Sequence, residues 1–195
     1  MRKSLLIVPV LALGISLQTD ASPLPGSKYA GQENRTIKSL SPDDISELRK
    51  GAGWGLAKAA ELNGVPGPAH LLELKDEISL SAEQVAAIEA IYADMRAKAI
   101  EHGERLIEQE RELEAYFQNR SIDDETLRTS LAAIAETRRE LRYTHLATHL
   151  KTPKLLSEEQ IAKYNKLRGY EAADPCANPP AGHDAAMWRQ HNGCK

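Results

Sequence analysis

Two histidines, His145 and His149, stand four residues apart in a stretch of helix-forming composition. That spacing puts both imidazoles on one helix face, near enough to share a transition-metal ion such as zinc, copper or nickel/cobalt. Two ligands do not complete a site. If the chain folds back on itself about residue 121, the facing stretch lies near residues 93–98, and Asp94 becomes the candidate carboxylate ligand. The competing reading makes His145 a hydrogen-bonded core residue continuing the seam of Leu141, with His149 in solvent.

The C-terminal tail gathers a second set of soft and borderline donors. His183, Met187 and His191 fall at steps of four, so a helix over 184–191 would align them in one stripe, with Cys194 nearby. Imidazole with thioether or thiolate suits copper, and imidazole alone suits zinc or nickel. Cys176 and Cys194 are the only cysteines, and in an oxidising compartment they are expected to pair. Closing that loop contributes on the order of 3 kcal/mol and removes Cys194 as a ligand.

No HExxH, CxxC, nucleotide-binding fingerprint or nucleophile motif occurs, so no enzyme is expected. Gly51–Gly55 lacks the preceding strand and the Lys-Ser/Thr partner of a phosphate loop and reads as a flexible joint, with Trp54 as a packing anchor or, in the alternative, a partner-docking side chain. Lys plus Arg number 25 against 28 Asp plus Glu, a net charge of −3, which advertises no basic face for nucleic acid. Apolar residues make up 42% of the 195, but aromatics only 5% with a single Phe, a balance suited to a helical core of Leu, Ile and Ala.

Proline and glycine place the elements that must position these side chains. Between Pro68 and Pro153 there is no proline and only one glycine, Gly103. Leu80-Ser81-Ala82-Glu83-Gln84 opens a long helix, with Ser81 as N-cap and Gln84 able to close a capping box. Residues 85, 88, 92, 95, 99, 106, 113 and 117 mark one face as far as Gln118. A polar break at 119–123 follows, with Ser121 or Asp123 capping a second helix. Leu127, Leu131, Ile134, Leu141 and His145 continue its seam until Pro153. The expectation is an all-α fold built on a long antiparallel helical hairpin with shorter flanking helices. One flanking helix runs from Pro42 toward Asn63-Gly64, another from Pro68 to about Ile78, and a third from the LSEEQ cap at 156–160 to Gly169.

At the N-terminus, Arg2-Lys3, an apolar run over 5–17 and Thr19-Asp20-Ala21 are expected to form a secretory signal peptide cleaved near Ala21, with an uncleaved membrane anchor as the competing reading. Its removal takes away Arg2, Lys3 and Asp20, leaving 23 basic against 27 acidic residues, a net −4. The expected organisation is a leader at 1–21, a flexible segment at 22–38, a helical domain at 39–170 and a tail at 171–195.

The paired motifs LSAEQ (Leu80, Ser81, Gln84) and LSEEQ (Leu156, Ser157, Gln160) resemble the LTxxQ signature of the periplasmic CpxP/Spy family, with Ser in place of Thr in both copies. The family includes zinc- and nickel/cobalt-responsive periplasmic proteins, and the resemblance covers roughly residues 78–170. It implies a hook-shaped hairpin that forms a homodimer. It also implies a non-enzymatic envelope-stress role: binding or sensing of transition-metal ions, an ATP-independent holdase for unfolded client proteins, or docking on a membrane sensor protein. The acidic mature chain departs from the basic concave face of the chaperone members. The 60–68 segment and the cysteine tail have no counterpart in the best-known ones.

Overall fold

The computed structural model describes residues 27–170, 176, 179 and 184–194. The expected leader over 1–21 and His183 lie outside them. The chain divides into two units, Met1–Glu33 and Asn34–Lys195. In the first, residues 27–33 form turns in which the Ala30 N–H donates to the Ser27 carbonyl at 2.9 Å.

In the second unit, the described residues form helices and turns, with no strand among them. Three helices start from the same device. Ser41, Ser81 and Ser157 each sit in extended backbone, and each hydroxyl accepts the N–H three residues on. The side chain of that residue (Asp44, Gln84 or Gln160) accepts the serine's own N–H in return. These caps open α1 (Pro42–Lys50), α4 (Ala82–Gln118) and α6 (Glu158–Arg168). Between them lie α2 (Lys58–Glu61), α3 (Pro68–Glu73) and α5 (Asp124–His149), the last capped by the Asp123 carboxylate. A 3-10 turn at Thr152–Leu155 links α5 to α6, and α7 (Ala185–His191) lies in the tail.

Three boundaries differ from the sequence expectation. The second long helix ends at His149 rather than at Pro153, and a 3-10 turn carries the chain on. The helix beginning at Pro42 does not reach Asn63. Gly51, at φ 65°, closes α1 in the left-handed conformation, and α2 starts afresh after an irregular stretch. The helix beginning at Pro68 ends at Glu73 rather than near Ile78, and turns carry the chain to Ser79, itself at φ 57°.

The hairpin of α4 and α5 has the expected register. The Thr148 hydroxyl lies 3.8 Å from the Met95 sulfur, so the C-terminal turns of α5 face the stretch around residue 95. Its seam is more polar than apolar periodicity suggests. Thr137, Thr144 and Thr148 are buried beside Ile134 and Leu141, whereas Leu131 and Phe117, read as seam residues, are exposed. Threonine fits because its hydroxyl can return to its own helix: Thr148 donates to the His145 carbonyl at 2.7 Å.

Apolar packing gathers in two clusters. The first joins Ile37, Leu40 and Leu48 to Ala99, Leu106, Ile107, Ile134 and Leu141. The second joins Leu71, Ile78 and Ile88 to Tyr164. Ile37 was expected in a flexible segment, yet it is buried. Lys38 pairs with Glu114 at 2.6 Å and the Ser39 hydroxyl donates to Glu110 at 2.7 Å, which straps this stretch along α4. Trp54 packs against the first cluster, as its anchor reading requires. Its indole N–H donates to Asp44 at 2.8 Å, and the Arg138 guanidinium lies over the ring.

The α1–α4 crossing depends on a missing side chain. A Cβ at Gly103 would stand 2.5 Å from the Leu48 carbonyl oxygen. Gly103→Ala is therefore expected to destabilise the protein by about 1–2 kcal/mol, because backbone overlap outweighs the gain in helix propensity. Urea unfolding would measure it, and an unchanged or raised midpoint would contradict the crossing.

Candidate functional site

Between the two apolar clusters, α4 leaves a gap that polar residues line. Met95 and Tyr92 face it from α4, His145 and His149 from the last turns of α5, His70 from α3 and Glu61 from the end of α2. The cavity holds about 270 Å³.

The two predicted histidines both lie in this wall, and neither matches the competing reading in full. His145 is buried at 3% exposure, but its Nε2 has no hydrogen-bond partner. Burial, with the neighbouring His149 adding to it, holds its pKa below the ordinary histidine value, and Glu61 opposes them. The ring is therefore neutral at physiological pH. His149 is not in solvent but 4% exposed. Its Nδ1 lies 2.8 Å from the Val65 carbonyl oxygen. A carbonyl only accepts, so Nδ1 carries a proton, which fixes the tautomer of the neutral ring with its lone pair on Nε2. The ring lies against Gly67, where a Cβ would come within 2.6 Å of Nε2.

Asp94 is a correction. The register that pointed to it is right, but the helix turns about 100° per residue, and Met95 rather than Asp94 faces the histidines. Asp94 is exposed and bound to Lys98 at 2.8 Å, the hydrogen bond that lowers its pKa. The residues that sequence reasoning missed are His70 and Glu61. His70 Nδ1 lies 2.7 Å from Glu73 and its Nε2 3.6 Å from Glu61. Their only local sign was the Pro66-Gly67-Pro68 turn beside them. Among the described residues, no three His, Cys, Asp or Glu side chains already stand together as metal ligands.

In the tail, Met187 and His191 occupy α7 as expected, both exposed. Cys176 and Cys194 form the expected disulfide, with Cα atoms 5.5 Å apart, so Cys194 is not a ligand. That leaves one imidazole and one thioether among the described tail residues.

The paired motifs meet. The Gln84 amide donates to the Gln160 side-chain oxygen at 2.9 Å and to the Leu155 carbonyl at 2.6 Å. The Gln160 amide returns the bond to Gln84 at 3.0 Å and donates to the Ser79 carbonyl at 3.2 Å. Each side-chain oxygen also accepts its own serine's N–H, from Ser81 at 2.9 Å and Ser157 at 3.0 Å. Both amides thus use two donors and two acceptor sites, a full complement. Leu80 and Leu156 pack beside them against the second apolar cluster.

Removing one glutamine strands the other. Gln84→Ala is expected to cost about 2 kcal/mol in chemical denaturation. Adding Gln160→Ala should cost less than the two single losses together, by roughly 1 kcal/mol; strict additivity would show that the amides are not coupled.

The buried neutral imidazole gives a second expectation. Because the folded pKa of His145 lies below the unfolded one, unfolded chains take up its proton first as pH falls. Its contribution is complete above about pH 6.5 and is lost progressively below it. Thermal melting should weaken on acidification in that range, and His145→Gln should flatten the dependence; an identical slope in the variant would contradict the burial argument.

A family profile described as LTXXQ motif family protein matches residues 69–168, from the start of α3 to the end of α6. No curated protein and no solved structure matches the chain significantly. No helix of the described residues is long and apolar enough to cross a membrane. The match covers both glutamine motifs, the hairpin between them and the two α5 histidines, and on it the chain belongs to the LTXXQ motif family.

Proposed function

We propose that this protein is a non-enzymatic, exported envelope-stress or metal-resistance protein that binds a transition-metal ion at the cavity formed by α3, α5 and the 61–67 turn. Membership of the LTXXQ family supports the broad role and a periplasmic setting. The observation that carries the metal reading is the buried, unpartnered Nε2 of His145 in the same wall as His149. A buried imidazole nitrogen with no hydrogen-bond partner is a standing cost in either tautomer, and a metal ion taking its lone pair would relieve it.

The donor types fit. His145 and His149 offer imidazole, and the Val65 carbonyl fixes the His149 tautomer as second-shell partners of metal-bound histidines do. His70 and Glu61, both partly exposed, are the next donors along the wall, and Met95 adds a thioether. An imidazole–carboxylate set suits zinc or nickel/cobalt, whereas copper would draw on the Met95 sulfur. A bound ion supplies a cross-link. The chain's own part is to hold α5 and the 61–70 stretch on either side of it. Homodimer formation and signalling through a membrane sensor protein belong to the same proposal.

Titration calorimetry with zinc and nickel tests it. The full-length mature protein should bind one ion per chain, with affinity falling as pH drops toward 5 and imidazoles take up protons. His149→Gln should weaken binding by 10-fold or more, and His70→Asn, on a partly exposed side chain, by about 10-fold. At a metal concentration near the parent's Kd, melting temperature should rise in the parent and rise clearly less in the variants. Binding that survives loss of both His70 and His149, or resides in Met187 and His191, would overturn this site. Suppression of client aggregation without metal would instead favour the holdase.

A further inference from the structure

The outward side of α5 carries an exposed stripe of apolar and arginine side chains, of which Leu131, Tyr143, Leu150 and Arg142 make no side-chain hydrogen bond or ion pair among the described residues. Leu131, Tyr143 and Leu150 are 49%, 62% and 69% exposed. Ala135, Arg138, Arg139 and Arg142 interleave with them and, together with Leu146, line a shallow depression. Steps of three and four put all of these on the helix side opposite Thr137, Leu141 and Thr144. No carboxylate lies on the stripe itself. Glu136 and Glu140 flank it and bind Arg139, Arg138 stacks over Trp54, and Arg142 has no partner among the described residues. Lys151 follows at the helix end. The protein as a whole is acidic, so this is a local reversal of sign.

We propose that this face docks on an anionic lipid surface. Charge and shape select that occupant. A second copy of the same stripe would set arginine against arginine. The outward face of α4 offers exposed alanines at 90, 93 and 97 but no large apolar side chain there. Of its carboxylates over 94–112, Asp94, Glu101, Glu104 and Glu108 are already held by Lys98, Arg105, Arg49 and Arg111, which leaves Glu112 alone to meet three arginines. Leu131 to Leu150 spans on the order of 28 Å along one straight helix side, with no deep groove to seat a peptide. A bilayer surface meets such a line in any register. Leucines enter the acyl boundary, while tyrosine and arginine stay at headgroup level. No described helix can span a bilayer, so the contact is peripheral.

Flotation of the full-length mature protein with vesicles tests this. It should float with phosphatidylglycerol-containing vesicles at low salt, float poorly with pure phosphatidylcholine, and be released by high salt. Arg142→Glu should weaken binding about 25-fold, since each surface charge contributes about fivefold and this variant reverses one. Tyr143→Ser with Leu150→Ser should also release it. All three residues are exposed, and circular dichroism checks that the variants stay folded. The proposal fails if phosphatidylglycerol vesicles do not bind, if the variants bind as the parent does, or if phosphatidylcholine binds equally. It also fails if the same variants abolish self-association or capture of an acidic polypeptide while leaving vesicle binding intact.

Discussion

The architecture depends on two primary amides that complete each other. Gln84 stands at the start of α4 and Gln160 at the start of α6, separated by the whole hairpin, yet each supplies what the other lacks. A carboxylate in either place could accept but not donate, and an alkyl group could do neither. The pair therefore fixes where the chain re-enters after α5. That sets how the 3-10 turn and the last turns of α5 meet the 61–67 segment: Thr152 donates to the Pro66 carbonyl at 2.5 Å, and His149 donates to Val65. Without the clasp, the cavity would lose the wall that faces its histidines.

The cavity lies where neither apolar cluster reaches. Ile88 belongs to one cluster and Ala99 to the other, and Met95 stands between them facing threonine and imidazole rather than leucine. A domain of this size could fill such a gap with aliphatic side chains at less cost in desolvation. Buried imidazoles in place of aliphatic packing cost stability here, which accords with the binding role proposed for the cavity. Nearby Tyr164 shows the same environment acting on another group, with burial pushing its hydroxyl pKa up to about 12.

Much of this was legible in the chain, for local physical reasons. Serine caps, a proline-free stretch and the Asp123 break encode both ends of α4 and the start of α5 through their own backbone hydrogen bonds, whereas α5 ends at His149, short of the Pro153 expected to stop it. The histidine pair follows from helix spacing. What stayed hidden depends on tertiary placement. Asp94 and Met95 are neighbours in sequence, and only the azimuth of α4 decides which one faces inward. Thr137, Thr144 and Thr148 read as surface residues until the opposing helix covers them. His70 and Glu61 come to the cavity through turns around Gly64 and Gly67 whose paths are set by α5 and α6, far along the chain.

Gly67 ties two distant positions into one steric account. The His149 ring fills the volume that any side chain at residue 67 would claim. Relatives that bear a larger residue at the first position must therefore carry a smaller one, or a displaced helix, at the second. The turn and the imidazole can diverge only in step, and evolutionary drift at either leaves its trace in the other.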